Sequence, residues 1–260
     1  MKAKRRFGQN FLRDQSIVRA IVQCIYPLAS QTIVEIGPGQ GALTGLLLEQ
    51  AGRLAAIEID EDLLPGLRQR FEPKGLYLVS QDVLTIDFHQ LATQLQASRL
   101  RVVGNLPYNI SSPVLFHLLD YSSVVKDQTF MLQEEVVDRM VAKPGSKTYG
   151  RLSVMLQARY GIEKCLHVPP ESFWPVPKVQ SAVVRMQPLT EEQQTVRDWQ
   201  IFAGLVTQAF SSRRKMVRNT LAGLLDRLDL DAVDALPTQR PEELTVEQYA
   251  KLANQLADSS

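Results

Sequence analysis

The sequence predicts an α/β fold: a mostly parallel sheet with a late antiparallel strand, followed by a small all-helical C-terminal domain. Three observations carry this reading. Short apolar or β-branched runs alternate with helical patterns over the first two-thirds of the chain, as βαβ units require. The first run ends in a glycine-rich turn, Gly37-Pro38-Gly39-Gln40-Gly41. After Pro188 only helical patterns remain. The boundary is therefore placed near residue 189, giving domains 1–188 and 189–260.

The elements follow in order. Residues 16–26 have the apolar spacing of an amphipathic helix, with Ser16 placed to cap it. Thr32–Ile36 is a β-branched strand, followed by the glycine turn and a helix to about Gln50. Leu54–Ile59 is a second strand, ending at Asp60 and leading into a helical stretch. Leu76–Val79, Arg101–Val103 and Thr129–Leu132 are the third, fourth and fifth. Tyr160–His167 and Ser181–Met186 read as two further strands that pair around a proline-rich loop from Pro169 to Pro177, the late antiparallel addition. Residues 191–255 are helical, with Pro237 and Pro241 marking a loop.

Composition sets the broad class. Hydrophobic residues make up 45% and charged residues 22%, enough apolar material for a core and too much for wholesale disorder. No run reaches the roughly 18 apolar residues of a membrane span. The basic start, Met-Lys-Ala-Lys-Arg-Arg, lacks a following apolar stretch and predicts no secretory signal. Two cysteines, Cys24 and Cys165, argue against a disulfide scaffold or a cysteine-based zinc site, and for a reducing cytoplasm. No metal-ligand spacing is visible.

Lys and Arg number 29 against 28 acids, but the balance is uneven. Residues 1–13 carry Lys2, Lys4, Arg5, Arg6 and Arg13 without an acid, and residues 211–220 carry Arg213, Arg214, Lys215 and Arg218 without one. Residues 226–247 hold seven acids. Two basic clusters in a near-neutral protein suggest a local polyanion contact, although either alone reads better as solvated surface.

A parallel sheet binds ligands at the carboxyl ends of its strands, so chemistry is sought there. The glycines after the first strand allow a tight turn and a close ligand approach. Glu58 lies 21 residues after Gly37, at the end of the second strand, where an acid accepts the ribose hydroxyls of an adenosine-containing cofactor. The alternatives are a structural turn and a surface acid. Gly-x-Gly-x-Gly differs from the dinucleotide fingerprint, which weakens a nicotinamide cofactor and an oxidoreductase. Asp82, after the third strand, suits an adenine amino group, or a helix cap.

Gly104-Asn105-Leu106-Pro107-Tyr108 follows the fourth strand. These residues suit an amine conjugated to an aromatic ring, such as adenine N6, whose delocalised lone pair is a poor nucleophile. The Asn105 oxygen and a nearby backbone carbonyl can accept both N–H bonds and favour a more tetrahedral nitrogen. Pro107 fixes a backbone angle, and Tyr108 offers a face on which an extruded base stacks. The plain alternative is a loop whose tyrosine packs in the core. His89, His117 and His167 are scattered and suit surface or core roles.

With these motifs in place, the chain resembles the KsgA/RsmA ribosomal RNA small-subunit adenine dimethyltransferases, of the Rossmann-like S-adenosylmethionine (SAM) class. The resemblance runs from Phe7 to about Leu221. It includes Phe7-Gly8-Gln9-Asn10-Phe11-Leu12, Tyr149-Gly150-Arg151-Leu152-Ser153-Val154, Phe173-Trp174-Pro175-Val176-Pro177-Lys178-Val179-Gln180-Ser181 and Phe210-Ser211-Ser212-Arg213-Arg214-Lys215. It implies that Asn10, Leu12, Gly37, Gly39, Glu58, Asp82 and Asn105 contact SAM. It implies that Asn105, Leu106, Pro107 and Tyr108 form the catalytic segment, with Tyr108 and Phe173 sandwiching the target adenine. It also implies two adjacent adenines in the 3′-terminal hairpin of small-subunit rRNA as substrate. The expected setting is an immature small subunit in the cytoplasm, and the expected enzyme a monomer.

Candidate RNA contacts are Arg5, Arg6, Arg151, Lys178, Arg213, Arg214, Lys215 and Arg218, with Arg213 and Arg214 at the start of a helical pattern over Arg213–Leu225. A large-subunit rRNA methyltransferase of the antibiotic-resistance type shares the Asn-Leu-Pro-Tyr chemistry and is the nearest rival. A DNA adenine methyltransferase more usually has an acid in place of Asn105. A ribosome-assembly checkpoint with secondary catalysis is a compatible reading.

Overall fold

A computed structural model describes residues 9–212 and 215–259. Along the chain run β1 (Phe11–Leu12), α1 (Gln15–Ile25), β2 (Thr32–Ile36), α2 (Thr44–Gln50), β3 (Arg53–Glu58), α3 (Leu64–Phe71), β4 (Leu76–Ser80) and α4 (Phe88–Gln94). They are followed by β5 (Leu100–Asn105), α5 (Ser111–Leu119), β6 (Val125–Gln133), α6 (Glu134–Met140), α7 (Arg151–Gln157), β7 (Tyr160–Val168), β8 (Phe173–Trp174) and β9 (Ser181–Pro188). The last helices are α8 (Trp199–Ala209), α9 (Val217–Thr220) and α10 (Val246–Asp258). After β9 the described residues form only α-helices and short 3-10 turns.

Seven strands form one sheet in the order β4-β3-β2-β5-β6-β9-β7. The pairs β2 with β3, β3 with β4, β2 with β5 and β5 with β6 are parallel, while β9 runs antiparallel to β6. The late antiparallel strand anticipated from the sequence is thus present. β2 and β3 are buried along nearly their whole lengths, as continuous apolar runs in a two-sided parallel sheet must be. β6 begins four residues before the run Thr129–Leu132. Asp127 interrupts its apolar pattern, yet is buried in an ion pair with Arg101 at 2.8 Å.

α1 buries Val18, Ile21, Val22 and Ile25 on one face. Each such burial contributes about 1.5–3 kcal/mol relative to exposure. Its cap is Asp14 and not Ser16: the Asp14 carboxylate accepts from the Ser16 and Ile17 amides at 2.8 and 3.4 Å. At the other end Arg101 donates to the Ile25 and Tyr26 carbonyls at 2.5 and 3.0 Å, tying the helix to β5. The segment that precedes the helix, β1, pairs with β8 in a separate two-stranded sheet.

The chain divides into two compact units. One runs to Val137 and includes Glu163–Gln187; the other comprises Asp138–Ile162 and Pro188–Ser260. This differs from a single cut after residue 188, because Asp138–Ile162 clusters with the C-terminal segment. Within the second unit α8 packs on α7 and α10, and Arg159 lies over the Trp199 ring at 4.1 Å. The Gly145 amide donates to the Glu242 carbonyl at 2.7 Å and the Leu189 amide to the Arg159 carbonyl at 2.8 Å. Of the helical pattern expected over Arg213–Leu225, the described residues form the single turn of α9 and part of a 3-10 segment, Ala222–Arg227; Arg213 and Arg214 lie outside them.

Candidate active site

The order of the sheet reverses beside β2, which has β3 on one side and β5 on the other. Such a switch point opens a crevice at the carboxyl ends of the strands. A cleft lies there, walled by residues 9–12 and by the segments that leave β2, β3, β4 and β5. The register explains the convergence: Ile36 lies beside both Ile57 and Gly104, so the turns that follow start at one level. Gly104 is required at this crossing, because a Cβ there would collide with the Ile36 carbonyl.

The glycine turn is built by positive φ at Gly37, Gly39 and Gly41, of 64°, 58° and 81°. The Gly37 amide donates to the Ile57 carbonyl at 2.9 Å, and the Gly39 amide donates to Glu58 at 3.2 Å. Glu58 also accepts from the Asp60 amide at 2.9 Å. Burial pushes its carboxyl above the usual range, partly offset by these two hydrogen bonds. Asp60 in turn accepts from the Gln9 side chain at 2.8 Å, joining the strand end to the segment before β1.

Glu35 is a wall residue for which the sequence motifs give no role. It is buried at the penultimate position of β2 and accepts from the Thr44 hydroxyl at 2.7 Å. Burial raises its pKa to about 7, with the nearby Glu58 carboxylate adding to the effect. A signal exists, since an acid inside the run Thr-Ile-Val-Glu-Ile is anomalous for a strand buried on both faces. Asp82 takes the capping role the sequence allows, holding the 3-10 turn Val83–Thr85 through the Leu84 amide at 3.0 Å, and it also lines the cleft.

Asn105 ends β5. Its Nδ2 donates to the Asn10 carbonyl at 3.1 Å, which turns Oδ1 away from that carbonyl as a bare acceptor. Leu106 anchors its amide on the Met131 carbonyl at 3.2 Å. The Pro107 carbonyl is consumed by the Ile110 amide and the Ser111 hydroxyl, both at 3.1 Å. Among the described residues no hydrogen bond reaches the Leu106 carbonyl. That leaves Asn105 Oδ1 and Leu106 O without a hydrogen bond among the described residues. Tyr108 is half-buried, lines the cleft, and shares a hydrogen bond with the Ser181 hydroxyl at 2.9 Å.

The cleft thus brings together Asn10, Leu12, Gly37, Gly39, Glu58, Asp82, Asn105, Leu106, Pro107 and Tyr108. It does not include Phe173. That ring is 3% exposed and belongs to the hydrophobic core, across β1–β8 from Leu12. Adjacent strand residues face opposite sides, so burying Phe173 leaves Trp174 outward at 38% exposure. Lys178 is exposed in the loop before β9; Arg151, Lys215 and Arg218 are exposed on the second unit. Arg5, Arg6, Arg213 and Arg214 lie outside the described residues, as do Lys2, Lys4, Phe7 and Gly8. Among the described residues no cluster of His, Cys, Asp and Glu suits a metal ion.

The charge of the cleft selects its ligand class. Its charged wall residues are Glu35, Glu58 and Asp82, and among the described residues no lysine, arginine or histidine lines it. S-adenosylmethionine fits this set. It offers ribose hydroxyls and an adenine amine as donors, an ammonium group, and a cationic sulfur.

A family model described as ribosomal RNA adenine dimethylase matches residues 1–258. The ribosomal RNA small subunit methyltransferase A of Aromatoleum aromaticum is 49% identical over 259 residues, covering 100% of this chain and 96% of that protein. Its counterpart from Cupriavidus pinatubonensis is 52% identical over 261 residues, covering 98% and 93%. Among solved structures, a dimethyladenosine transferase from Plasmodium falciparum matches with a TM-score of 0.80 at 24% identity, covering 95% of this chain and 98% of that one. The 23S rRNA methyltransferase ErmE matches with a TM-score of 0.72 at 24% identity, covering 95% and 100%. These two likenesses speak for the fold; the sequence matches go further. With the glycine turn, the strand-end acids and the Asn105–Tyr108 segment gathered in one cleft, the chain belongs to the ribosomal RNA adenine dimethylase family.

Proposed function

We propose that this SAM-dependent rRNA adenine dimethyltransferase acts on two adjacent adenines in the 3′-terminal hairpin of small-subunit rRNA, within an immature small subunit. It works as a monomer in the cytoplasm. The observation that carries the reading is the pair of acceptors unengaged among the described residues, Asn105 Oδ1 and Leu106 O, in an acid-walled cleft that Tyr108 also lines.

Bound SAM supplies a methyl group already activated on a sulfonium. The chain's own residues do the rest. Glu58 accepts the ribose hydroxyls and Asp82 the adenine amine of the cofactor, while Gly37 and Gly39 let the backbone come close. The Tyr108 ring receives the extruded target base. Asn105 Oδ1 and Leu106 O accept the two N–H bonds of N6. They favour the tetrahedral nitrogen of the transition state over the flat ground state, which is differential stabilisation. Holding the nucleophile in line makes the step effectively unimolecular. No strong base is needed, because a methylated, positively charged nitrogen loses its proton readily to water. The absence of histidine from the described cleft wall is consistent with this. The second transfer requires monomethylated N6 to turn about its bond to the ring, past the small Asn105.

Arg151, Lys178, Lys215 and Arg218, together with Arg5, Arg6, Arg213 and Arg214, serve as phosphate contacts, since RNA affinity comes largely from such charges. The segment 189–260 contributes to recognition of the folded subunit. No helix among the described residues is long and apolar enough to cross a membrane.

The decisive experiment is mass spectrometry of rRNA after incubation with labelled SAM, in parallel on immature small subunits, large-subunit RNA and duplex DNA. Dimethyladenosine at two neighbouring positions of the small-subunit hairpin alone is expected. Label confined to large-subunit RNA or DNA would refute the substrate assignment.

A further inference from the structure

The proline-rich loop between β8 and β9 is fastened at both ends to the walls of the cleft. At its start the Ser172 carbonyl accepts from the Arg13 and Asp14 amides at 2.8 and 3.3 Å, and β8 pairs with β1, setting Trp174 beside Phe11. At its end the Gln180 carbonyl accepts from the Glu134 amide at 3.0 Å, and Ser181 holds Tyr108. Phe11 and Tyr108 both line the cleft, so each end of the loop is joined to a lining residue, although residues 173–181 do not themselves line it.

Trp174 is the exposed aromatic of this loop. Its ring stands with the Arg13 guanidinium 4.6 Å from the centroid, and it retains 38% exposure. Lys178 is exposed a few residues on, and residues 173–181 contain no acid; the nearest in sequence is Glu171. An indole stacked on a guanidinium, next to a further cation, suits one occupant well. A single-stranded nucleic acid offers a flat base for the ring and phosphates for the cations. An apolar protein surface would leave Arg13 and Lys178 without partners.

Resting on the RNA-methylating reading above, we propose that Trp174, backed by Arg13, stacks the base of a nucleotide flanking the target adenosine. Trp174 is then a positioning residue: it holds the strand so that the adenine enters beside Tyr108, and it touches no reacting atom. Arg13 supplies a phosphate contact and keeps the indole upright.

Two measurements test this. In steady-state methylation of unmethylated small subunits, Trp174→Ala is expected to raise KM for the subunit about tenfold, the worth of one base stack. Its kcat should stay within about twofold, since the lost contact is made equally in ground and transition states. Trp174→Phe should restore most of the loss, and SAM affinity should not change. The second measurement uses Trp199→Phe, which leaves Trp174 as the sole tryptophan of the two. An adenine-containing single-stranded RNA hexamer should quench its fluorescence, and a hexamer with abasic sites and the same phosphates should not.

An unchanged KM in Trp174→Ala, or equal quenching by the two hexamers, would overturn the stacking role. So would a KM effect without any quenching, which would assign the surface to a ribosomal protein. If the wild type methylates small subunits normally under any of these outcomes, the enzymatic reading stands and only this proposal falls. A wild type that transfers no methyl to small subunits removes both.

Discussion

Asn105 and Asn10, 95 positions apart in the chain, are joined by a hydrogen bond of 3.1 Å from Nδ2 to the backbone carbonyl. The bond ties the end of β5 to the segment before β1 and fixes which end of the amide is left to accept. Asparagine supplies the donor for this bond and, in the proposed mechanism, the acceptor for the target nitrogen as well.

Asn105→Ala removes both. Methyl transfer to small subunits, followed with labelled SAM, is expected to fall at least about a hundredfold, comparable to deleting one transition-state hydrogen bond elsewhere. SAM affinity should change far less. Asn105→Asp keeps an acceptor but sets a carboxylate against the Asn10 carbonyl, so it should also be impaired. Normal subunit maturation by an inactive Asn105→Ala protein would point to binding as the main duty.

Glu58 receives the Gly39 and Asp60 amides on different oxygens. In Glu58→Gln one of those oxygens becomes an NH2 group facing an N–H. Charge-assisted hydrogen bonds of this kind are worth about 1.5–3 kcal/mol, so SAM affinity by calorimetry should weaken about tenfold or more. Unchanged affinity would remove Glu58 from the cofactor site.

Glu35 gives a pH dependence of definite sign. Its pKa rises from the ordinary 4.5 to about 7 because burial penalises the charge. Between those values the folded chain holds a proton that the unfolded chain has released. The stabilising contribution is therefore complete below about pH 4.5 and lost as pH climbs through about 7. The loss is at most about 3 kcal/mol, since each pH step between the unfolded and folded pKa values is worth roughly 1.4 kcal/mol. Urea denaturation of the cofactor-free protein at pH 5 and pH 8 should show a larger drop for the wild type than for Glu35→Gln. The raised pKa of Glu58 acts in the same direction and is common to both proteins.

Gly104→Ala would drive a methyl group into the Ile36 carbonyl, a backbone atom that cannot step aside without separating β2 from β5. A stability loss of about 1–3 kcal/mol or more is expected from urea titration, as for overpacking in a core. Loss of SAM binding should accompany it, since the same crossing carries the glycine turn.

Lys215→Glu and Arg218→Glu test the basic stretch at the start of α9. Both side chains are exposed. If they meet phosphates, subunit binding should weaken, and the salt dependence of that binding should become shallower by about one unit of slope per contact removed. SAM affinity should be untouched. An equal loss of both would contradict a separate recognition role.

The path from sequence to this site is uneven in an instructive way. The glycine turn, Glu58, Asp82 and Asn105–Tyr108 are all legible, because each follows directly from a strand whose apolar run is visible, and strand ends in a parallel sheet converge by construction. Glu35 is visible as an oddity inside such a run but carries no spacing rule. The cap of α1 lies two positions before the one the residue pattern suggests, since Asp14 and Ser16 are both good caps and only the backbone decides between them. The segment Asp138–Ile162 gives no compositional hint that it clusters with the C-terminal helices.

The dipeptide Phe173-Trp174 marks the limit most clearly. The sequence by itself determined the seven strands of the main sheet, the acids and amide at the strand ends, and through them the family. These depend on period, turn geometry and residue type, all of which are local. Only the tertiary structure decided which aromatic of the pair is buried, which carbonyl near Pro107 is left to accept, and that Asn10 orients Asn105. Each depends on contacts between segments far apart in the chain, and a two-residue strand can present either side chain to the core until the strand it pairs with is in place.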